Sequence, residues 1–329
     1  QMILEVGKDN AIVVHTTLLP YINAAGEMKT KPTQHSVQRL REIGLEPDML
    51  VCRTENNHHL NQKLIKKLGL FCNIVTNHVF ESPDVKSIYE IPLVLHKQEL
   101  DKAIVNRLGL QTNEEHTNIQ HLEKFIQTFK SPETEVTIAM CGKYNSLHDA
   151  YKSIIEAFIH AGVANNTEVN IKWVDTEELE TTEDLTHYFE GVDGVLIPGG
   201  FGDRGIEGKI LSSQFARENK IPYLGICLGM QCAIIDFARN LCEMKNANSS
   251  EFKSRLKFPV IDLMHGQRNV TKKGATMRLG AYSCEVKSGT NAYKAYGKKR
   301  IAERHRIEAA VHPRPDKQIE VRDFRADIN

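Results

Sequence analysis

From residue 136 onward, short apolar runs alternate with amphipathic stretches. They come in the order VTIAMCG, Ala150 to Ala161, VNIKWV, a polar helix, GVLIPGG, Ile210 to Glu218, IPYLGIC and Gly229 to Arg239. Successive βα units of this kind constrain the fold strongly, because a crossover helix returns the chain to a parallel neighbour with one hand only. The same alternation runs less cleanly through the first part. There, Asn10 to Tyr21, Asp48 to Cys52, Phe71 to Val75 and Lys86 to Leu95 read as strands, and His35 to Gly44 and Leu60 to Leu68 as helices. The expected fold class is therefore α/β, with two doubly wound, mostly parallel sheets.

A length of 329 residues accommodates two cores. The sequence divides into an α/β domain over 1–110, a linker over 111–135 and a second domain over 136–329. The linker is rich in Thr, Asn, Glu and Gln and carries one amphipathic patch, Leu122, Phe125, Ile126 and Phe129, before a Ser-Pro pair. Asp316 to Asn329 is charged and is expected to be disordered. Gln1 to Gly7 reads as the end of a helix, so the chain is expected to begin inside a longer protein.

Lys plus Arg equal Asp plus Glu at 42 each, so net charge argues for neither nucleic acid nor a membrane surface as partner. No apolar run of about 18 residues and no secretory leader pattern is present, and a cytoplasmic location is expected. The seven cysteines, at 52, 72, 141, 227, 232, 242 and 284, are odd in number and irregular in spacing. That pattern fits buried thiols with one reactive member better than a disulfide framework, and no metal site is expected.

One cysteine stands out by position. IPYLGICLGMQ sets Cys227 between an apolar strand and a helix, with Gly225 and Gly229 on either side. Small neighbours let the backbone turn sharply and present the thiol at the strand's C-terminal end, as in a nucleophile elbow. The start of the following helix favours the thiolate. A second strand ends in Gly199-Gly200-Phe201-Gly202, whose amides can face a developing oxyanion together with that of Leu228. Either motif alone also fits a buried cysteine at a helix–strand packing turn; the two in this order, each ending a parallel strand, point to acyl transfer.

PGGFG followed by PYLGICLGMQ resembles the glutaminase domain of class I glutamine amidotransferases, the fold expected of the second sheet. Asn246-Ala-Asn-Ser-Ser-Glu251-Phe, Thr276-Met-Arg-Leu-Gly280 and Glu303-Arg-His-Arg306 narrow the resemblance to the CTP synthase family, and Gly205-Ile-Glu-Gly-Lys209 resembles that family's glutaminase lid. The resemblance implies Cys227 as nucleophile and Gly200, Leu228, Gly229, Met230, Gln231 and Glu251 around the substrate glutamine. Phe201 would pack against that glutamine and Arg306 would meet its carboxylate. It further implies ATP-dependent amination of UTP to CTP, with Mg2+ accompanying ATP on ligands upstream of this chain and no organic prosthetic group. CTP as inhibitor, GTP as activator and a homotetramer belong to the same expectation.

One departure stands against that pattern. The family completes its triad with a Phe-His-Pro-Glu type motif, which this sequence lacks, and His312 in Ile307-Glu-Ala-Ala-Val-His312-Pro313 reads as a structural histidine. The simplest reading is that stretches are missing between Arg306 and Ile307 and between Pro313 and Arg314. A non-catalytic regulatory homologue of the same fold is the alternative, as is another class I amidotransferase such as a GMP synthetase type. The latter places its glutaminase first in the chain.

In the first half, Lys29-Thr30-Lys31-Pro32-Thr33-Gln34 combines lysines with a helix start, a ready phosphate site or else a solvated turn. By resemblance this string and Lys67 contact UTP or CTP, and Val85 approaches the ATP adenine. Arg53 ends an apolar strand, where α/β ligands gather.

Overall fold

The computed structural model describes residues 2–55, 58–111, 119–143, 148–200, 202–253, 255–263, 278–306 and 309–311. It divides into two compact units, residues 1–131 and 132–329. The tail from 312 onward lies outside the described residues.

In the first unit a short helix α1 (Met2–Val6) precedes strand β1 (Val14–Leu18), the two-residue strands β2 (Tyr21–Ile22) and β3 (Glu27–Met28), and helix α2 (Lys31–Glu42). Strand β4 (Met49–Thr54), helix α3 (Gln62–Cys72), strand β5 (Val79–Pro83) and helices α4 (Ile91–Lys97), α5 (Leu100–Leu108) and α6 (Ile119–Lys130) follow. β1, β4 and β5 form a parallel sheet in that order, with Val14 opposite Met49 and Leu50 opposite Val79. β4 is central, and its side chains alternate between two cores. Leu50 and Cys52 pack with Leu19, Val37, Leu68, Cys72, Ile74 and Val79. Met49 and Val51 pack with Phe80, Leu95, Leu100 and Ile104 on the other face. Each such aliphatic side chain taken fully out of water contributes about 1.5–3 kcal/mol.

Two expected strands are helical instead. Phe71 and Cys72 close α3, and Asn73 ends it in a left-handed turn (φ 49°). Leu68 and Cys72, four apart, share a helical face that joins one core, Ile74 reaches the same core from beyond the helix end, and the strand comes later, at Val79. The 86–95 stretch turns into a short 3-10 segment and α4. Ser87 and Glu90 form a reciprocal capping box and Pro92 occupies the first turn, signals that outweigh the apolar content. Much of the 111–135 stretch read as linker is α6, which packs on the first unit through Tyr89 against Phe125 (ring centroids 4.9 Å apart) and through Lys130 paired with Glu90.

The second unit opens with strand β6 (Thr134–Gly142), helix α7 (Lys152–Ala164), strand β7 (Thr167–Asp175) and helices α8 (Thr176–Leu179) and α9 (Thr186–Phe189). Strand β8 (Gly194–Ile197), helix α10 (Ile206–Glu218), strand β9 (Tyr223–Gly225) and helix α11 (Leu228–Asn240) complete the expected βα series. All four strands are parallel, in the order β7-β6-β8-β9. Ala139, Cys141, Val195 and Ile197 face one core, Met140 and Leu196 the other, the alternation that a sheet covered on both faces requires. Beyond α11, β10 (Asn248–Ser249), β11 (Pro259–Leu263) and β14 (Ala309–Val311) make a small mixed sheet. β12 (Arg278–Glu285) pairs antiparallel with β13 (Arg300–Arg306), with helix α12 (Asn291–Tyr296) between them.

Candidate active site

The C-terminal ends of β8 and β9 meet beside Cys227. The register sets Ile197 beside Gly225, and Ile226 N–H donates to Ile197 O at 2.9 Å, so the turn after β8 runs alongside the turn after β9. A Cβ on Gly199 would sit 3.4 Å from Cys227 Cβ, and one on Gly200 3.7 Å from Leu228 Cδ2. Cys227 itself is half-exposed and adopts φ 54°, ψ −102°, a backbone conformation costly for a residue with a side chain. That strain is the mark of an elbow: the backbone reverses within one residue, leaving the thiol at the N-terminus of the 13-residue α11. As first residue of the helix, Leu228 has no intrahelical acceptor for its N–H.

The elbow depends on its two glycines. A Cβ on Gly225 would collide with the Gly229 and Met230 backbone, and one on Gly229 with the carbonyl of Ile197. Tyr223 Oη donates to Gly229 O at 2.6 Å and ties the helix start back to β9. Met230 is exposed and Gln231 is buried, with its N–H bonded to Cys227 O at 3.2 Å. Glu251 is half-buried and its N–H is held by Ser249 Oγ at 3.2 Å. Its neighbour Phe252 packs against the cluster that contains Leu228 and Cys232, which draws this turn toward the start of α11. Phe201 and His312 lie outside the described residues, as does the side chain of Arg306, whose backbone ends β13 opposite Arg278.

The segment Gly205 to Lys209, which resembles the family's lid, lies at the N-terminus of α10. It is the packed start of α10, with Ile206, Gly208, Lys209 and Ile210 all buried. Glu180 Oε1 accepts from Glu207 N–H at 3.1 Å and Gly208 N–H at 3.4 Å, and Gly208 lies so close to the Thr176 carbonyl that no side chain fits. An acidic group at a helix N-terminus together with this packing anchors the segment.

Two lysines lie in this region, Lys143, which was not singled out from the sequence, and Lys209, which ends the segment likened to a lid. Lys143 follows β6 and brings its Nζ to 3.6 Å from where a Gly202 Cβ would be. Its position just past a parallel strand was the available signal. Lys209 is only 3% exposed and has Cys232, Lys143, Glu180 and Cys141 as its electrostatic neighbours. Burial pulls its ammonium below the ordinary lysine range.

In the first unit, Lys29 follows β3 and pairs with Glu27, while Lys29 N–H donates to Pro20 O at 2.9 Å. Lys67 acts on Glu27 electrostatically, and so does Lys63, one turn earlier on α3 and not singled out from the sequence. Their spacing of four on one helix was the missed signal. These lysines hold the Glu27 carboxyl below the usual carboxylate range, the Lys29 hydrogen bond contributing most. Thr30 and Thr33 turn their side chains inward. Thr33 Oγ1 donates to Leu18 O at 3.3 Å and accepts from Thr17 Oγ1 at 3.2 Å, and Thr30 Oγ1 accepts from Gln34 Nε2 at 3.1 Å. Lys31 and Pro32 are exposed in the first turn of α2, where backbone amides are unbonded within the helix. Arg53, in β4, lies 3.5 Å from Asp84, and half-buried Val85 follows β5. Arg53 and Val85 thus stand at the C-terminal ends of neighbouring strands. Among the described residues no cluster of three His, Cys, Asp or Glu side chains could hold a metal ion.

Residues 1–110 match the family described as CTP synthase N-terminus, and residues 146–326 that described as glutamine amidotransferase class-I. A CTP synthase of Caldanaerobacter subterraneus subsp. tengcongensis is 50% identical over 308 residues, covering 93% of this chain and 56% of that protein. A CTP synthase of Methanocaldococcus jannaschii is 51% identical over 314 residues, covering 94% and 57%. The chain thus spans somewhat over half the length of these curated relatives. Among solved structures, the Trypanosoma brucei CTPS glutaminase domain with bound acivicin is 39% identical with a TM-score of 0.49, covering 54% of this chain and 68% of that one. The amidotransferase match takes in more than half of the chain, and on that ground the chain belongs to the class I glutamine amidotransferase family, with a region similar to the CTP synthase N-terminus ahead of that domain.

Proposed function

We propose that this chain is the glutaminase and part of the nucleotide-binding region of a CTP synthase. The thiolate of Cys227 attacks the carboxamide carbon of glutamine. The oxygen of the tetrahedral intermediate gathers negative charge and takes hydrogen bonds from the Gly200 and Leu228 amides, each such donor being worth about 10²–10³ in rate. Once the amide nitrogen takes up a proton, collapse breaks the C–N bond, expels ammonia and leaves a γ-glutamyl thioester on Cys227; water then cleaves the C–S bond, giving glutamate, returning the proton and freeing the Cys227 thiolate, with no described residue assigned as the proton carrier. Gln231 and Glu251 bind the substrate, the carboxylate pairing with its ammonium group.

The ammonia aminates UTP activated by ATP, giving CTP. Lys29, the first turn of α2 and Lys67 serve the uridine or cytidine triphosphate, and Val85 the adenine. Mg2+ accompanies ATP and neutralises phosphate charge; its ligands are assigned to no residue of this chain. Feedback by CTP, activation by GTP, a homotetramer and a cytoplasmic location come with the same reading. The order of the two matches, synthetase region first and glutaminase second, weighs against a GMP synthetase type.

The observation that carries the proposal is the strained backbone of Cys227 at a helix start beside the Gly199-Gly200 turn. Labelling with a diazoketone analogue of glutamine, followed by intact mass and peptide mapping, tests it. An adduct on Cys227 is expected. Labelling absent from Cys227 in folded protein would favour a binding-only homologue and end the catalytic reading.

A further inference from the structure

We infer that His59 is a nucleotide-binding residue: Glu81 holds its imidazole through Nδ1, leaving Nε2 to meet a nucleoside triphosphate at the C-terminal ends of β1, β4 and β5. The inference rests on reading the first unit as a nucleotide site and adds to it a residue outside the resemblance.

Glu81, in β5, is fixed on every side. Its Oε1 accepts from Thr54 Oγ1 at 2.8 Å, and His59 Nδ1 lies 2.8 Å from the same oxygen. Its backbone is clamped by Gln98, which accepts from Glu81 N–H and donates to Glu81 O, both at 2.7 Å. Thr54 is buried, and the Glu81 side chain is 16% exposed. The His59 side chain is 62% exposed, and its Nε2 has no hydrogen bond among the described residues. An exposed pair of this kind adds little to stability, so its effect is to orient a ring whose far end is open to solvent.

The neighbouring residue reaches the opposite way. His58 stacks on Tyr21, with ring centroids 3.4 Å apart and planes 9° from parallel. Tyr21 begins the β2–β3 hairpin that leads into Lys29, and Pro20 beside it accepts the Lys29 N–H. Two consecutive histidines are therefore tied to β5 on one side and to the hairpin after β1 on the other. β4 runs between β1 and β5, so the pair lies over the end of the sheet where α/β folds take their ligands. Arg53 and Lys29 lie at the same end and supply positive charge for phosphates. The imidazolium form of His59 donates from Nε2 to a phosphate oxygen, and the neutral ring with Nδ1–H on Glu81 accepts there from a ribose hydroxyl or base amine. Either contact selects a nucleotide.

Calorimetric titration of the full chain with ATP and, separately, UTP tests this using His59→Asn and His59→Gln. The Asn amide can replace Nδ1 toward Glu81 but offers nothing at the position of Nε2, whereas the Gln amide reaches that position. His59→Asn is expected to weaken one nucleotide about tenfold, the worth of one good hydrogen bond, with His59→Gln recovering most of it. The nucleotide affected identifies the ligand. Binding of both nucleotides by His59→Asn as tightly as by wild type overturns the inference, and so does equal loss in both variants. A wild-type chain that binds neither nucleotide defeats the nucleotide-site reading and this inference with it. Labelling at Cys227 would stand apart from either result.

Discussion

Gly229 meets the carbonyl oxygen of Ile197 with no space for a side chain between them, and a Cβ there would also fall 3.0 Å from the Ile197 Cβ. The contact fixes how closely α11 approaches β8, and through that the distance from Cys227 to the Gly199-Gly200 turn. Gly229→Ala should therefore cost about 1–3 kcal/mol of stability by overpacking. The displaced elbow should lower the rate of diazoketone labelling about a hundredfold. Urea melts and labelling kinetics on the same sample check both. A variant as stable and as reactive as wild type would show that the approach is not constrained.

α10 and α11 are locked by a two-pronged ion pair, Arg217 Nε to Asp236 Oδ2 at 2.9 Å and Nη2 to Oδ1 at 3.1 Å. The Asp236 side chain is 2% exposed and that of Arg217 21%. Removing the arginine strands a buried carboxylate, so Arg217→Ala should lose about 3–5 kcal/mol. Arg217→Met combined with Asp236→Leu should regain most of that loss, because the desolvation cost vanishes with both charges. Chemical denaturation of the single and double variants measures the difference.

The cysteines separate sharply by environment. Burial pushes the thiols of Cys52, Cys141 and Cys232 up to about 12, and raises that of Cys72. Cys232 is thus a core residue, although it shares a helix with the elbow. Brief alkylation of native protein near neutral pH should modify Cys227, Cys242 and Cys284, the half-exposed and exposed members, and spare the other four. Peptide mapping before and after denaturation reads this out. Native modification of Cys232 would contradict the packing of α11.

Lys209 should give the stability a basic-side slope. Burial lowers its folded pKa while the unfolded value stays near 10.4, so between the two the unfolded chain binds more protons and stability rises with pH. Below the folded pKa both states are protonated and the full desolvation cost is present. Lys209→Met should therefore be more stable than wild type at neutral pH and should lack the rise. Melting curves from neutral to mildly alkaline pH, with wild type and variant side by side, decide it.

The βα order of the second unit and the elbow at Cys227 were legible from residues 136–239, because apolar periodicity and paired glycines are local properties. The first unit was less so. Phe71 to Val75 and 86 to 95 carry enough apolar residues for strands, but capping at Ser87 and Glu90 and the left-handed Asn73 assign them to helices and turns. Clusters built from distant segments could not be read along the chain at all. Lys63 and Lys67 come beside Glu27 only once α3 folds back on the β2–β3 hairpin, and Lys143 comes beside Gly202 only because β6 and β8 are neighbours. His59 gains its partner in the same way, from a strand twenty-two residues on. By itself the sequence determined the βα order of the second unit, the sharp turn at Cys227 and the glycine-rich turn after β8, since each is encoded in local periodicity or a few consecutive residues. Tertiary structure alone decided which charges face one another and which thiols are shielded, because burial and Coulomb interactions depend on distances in space.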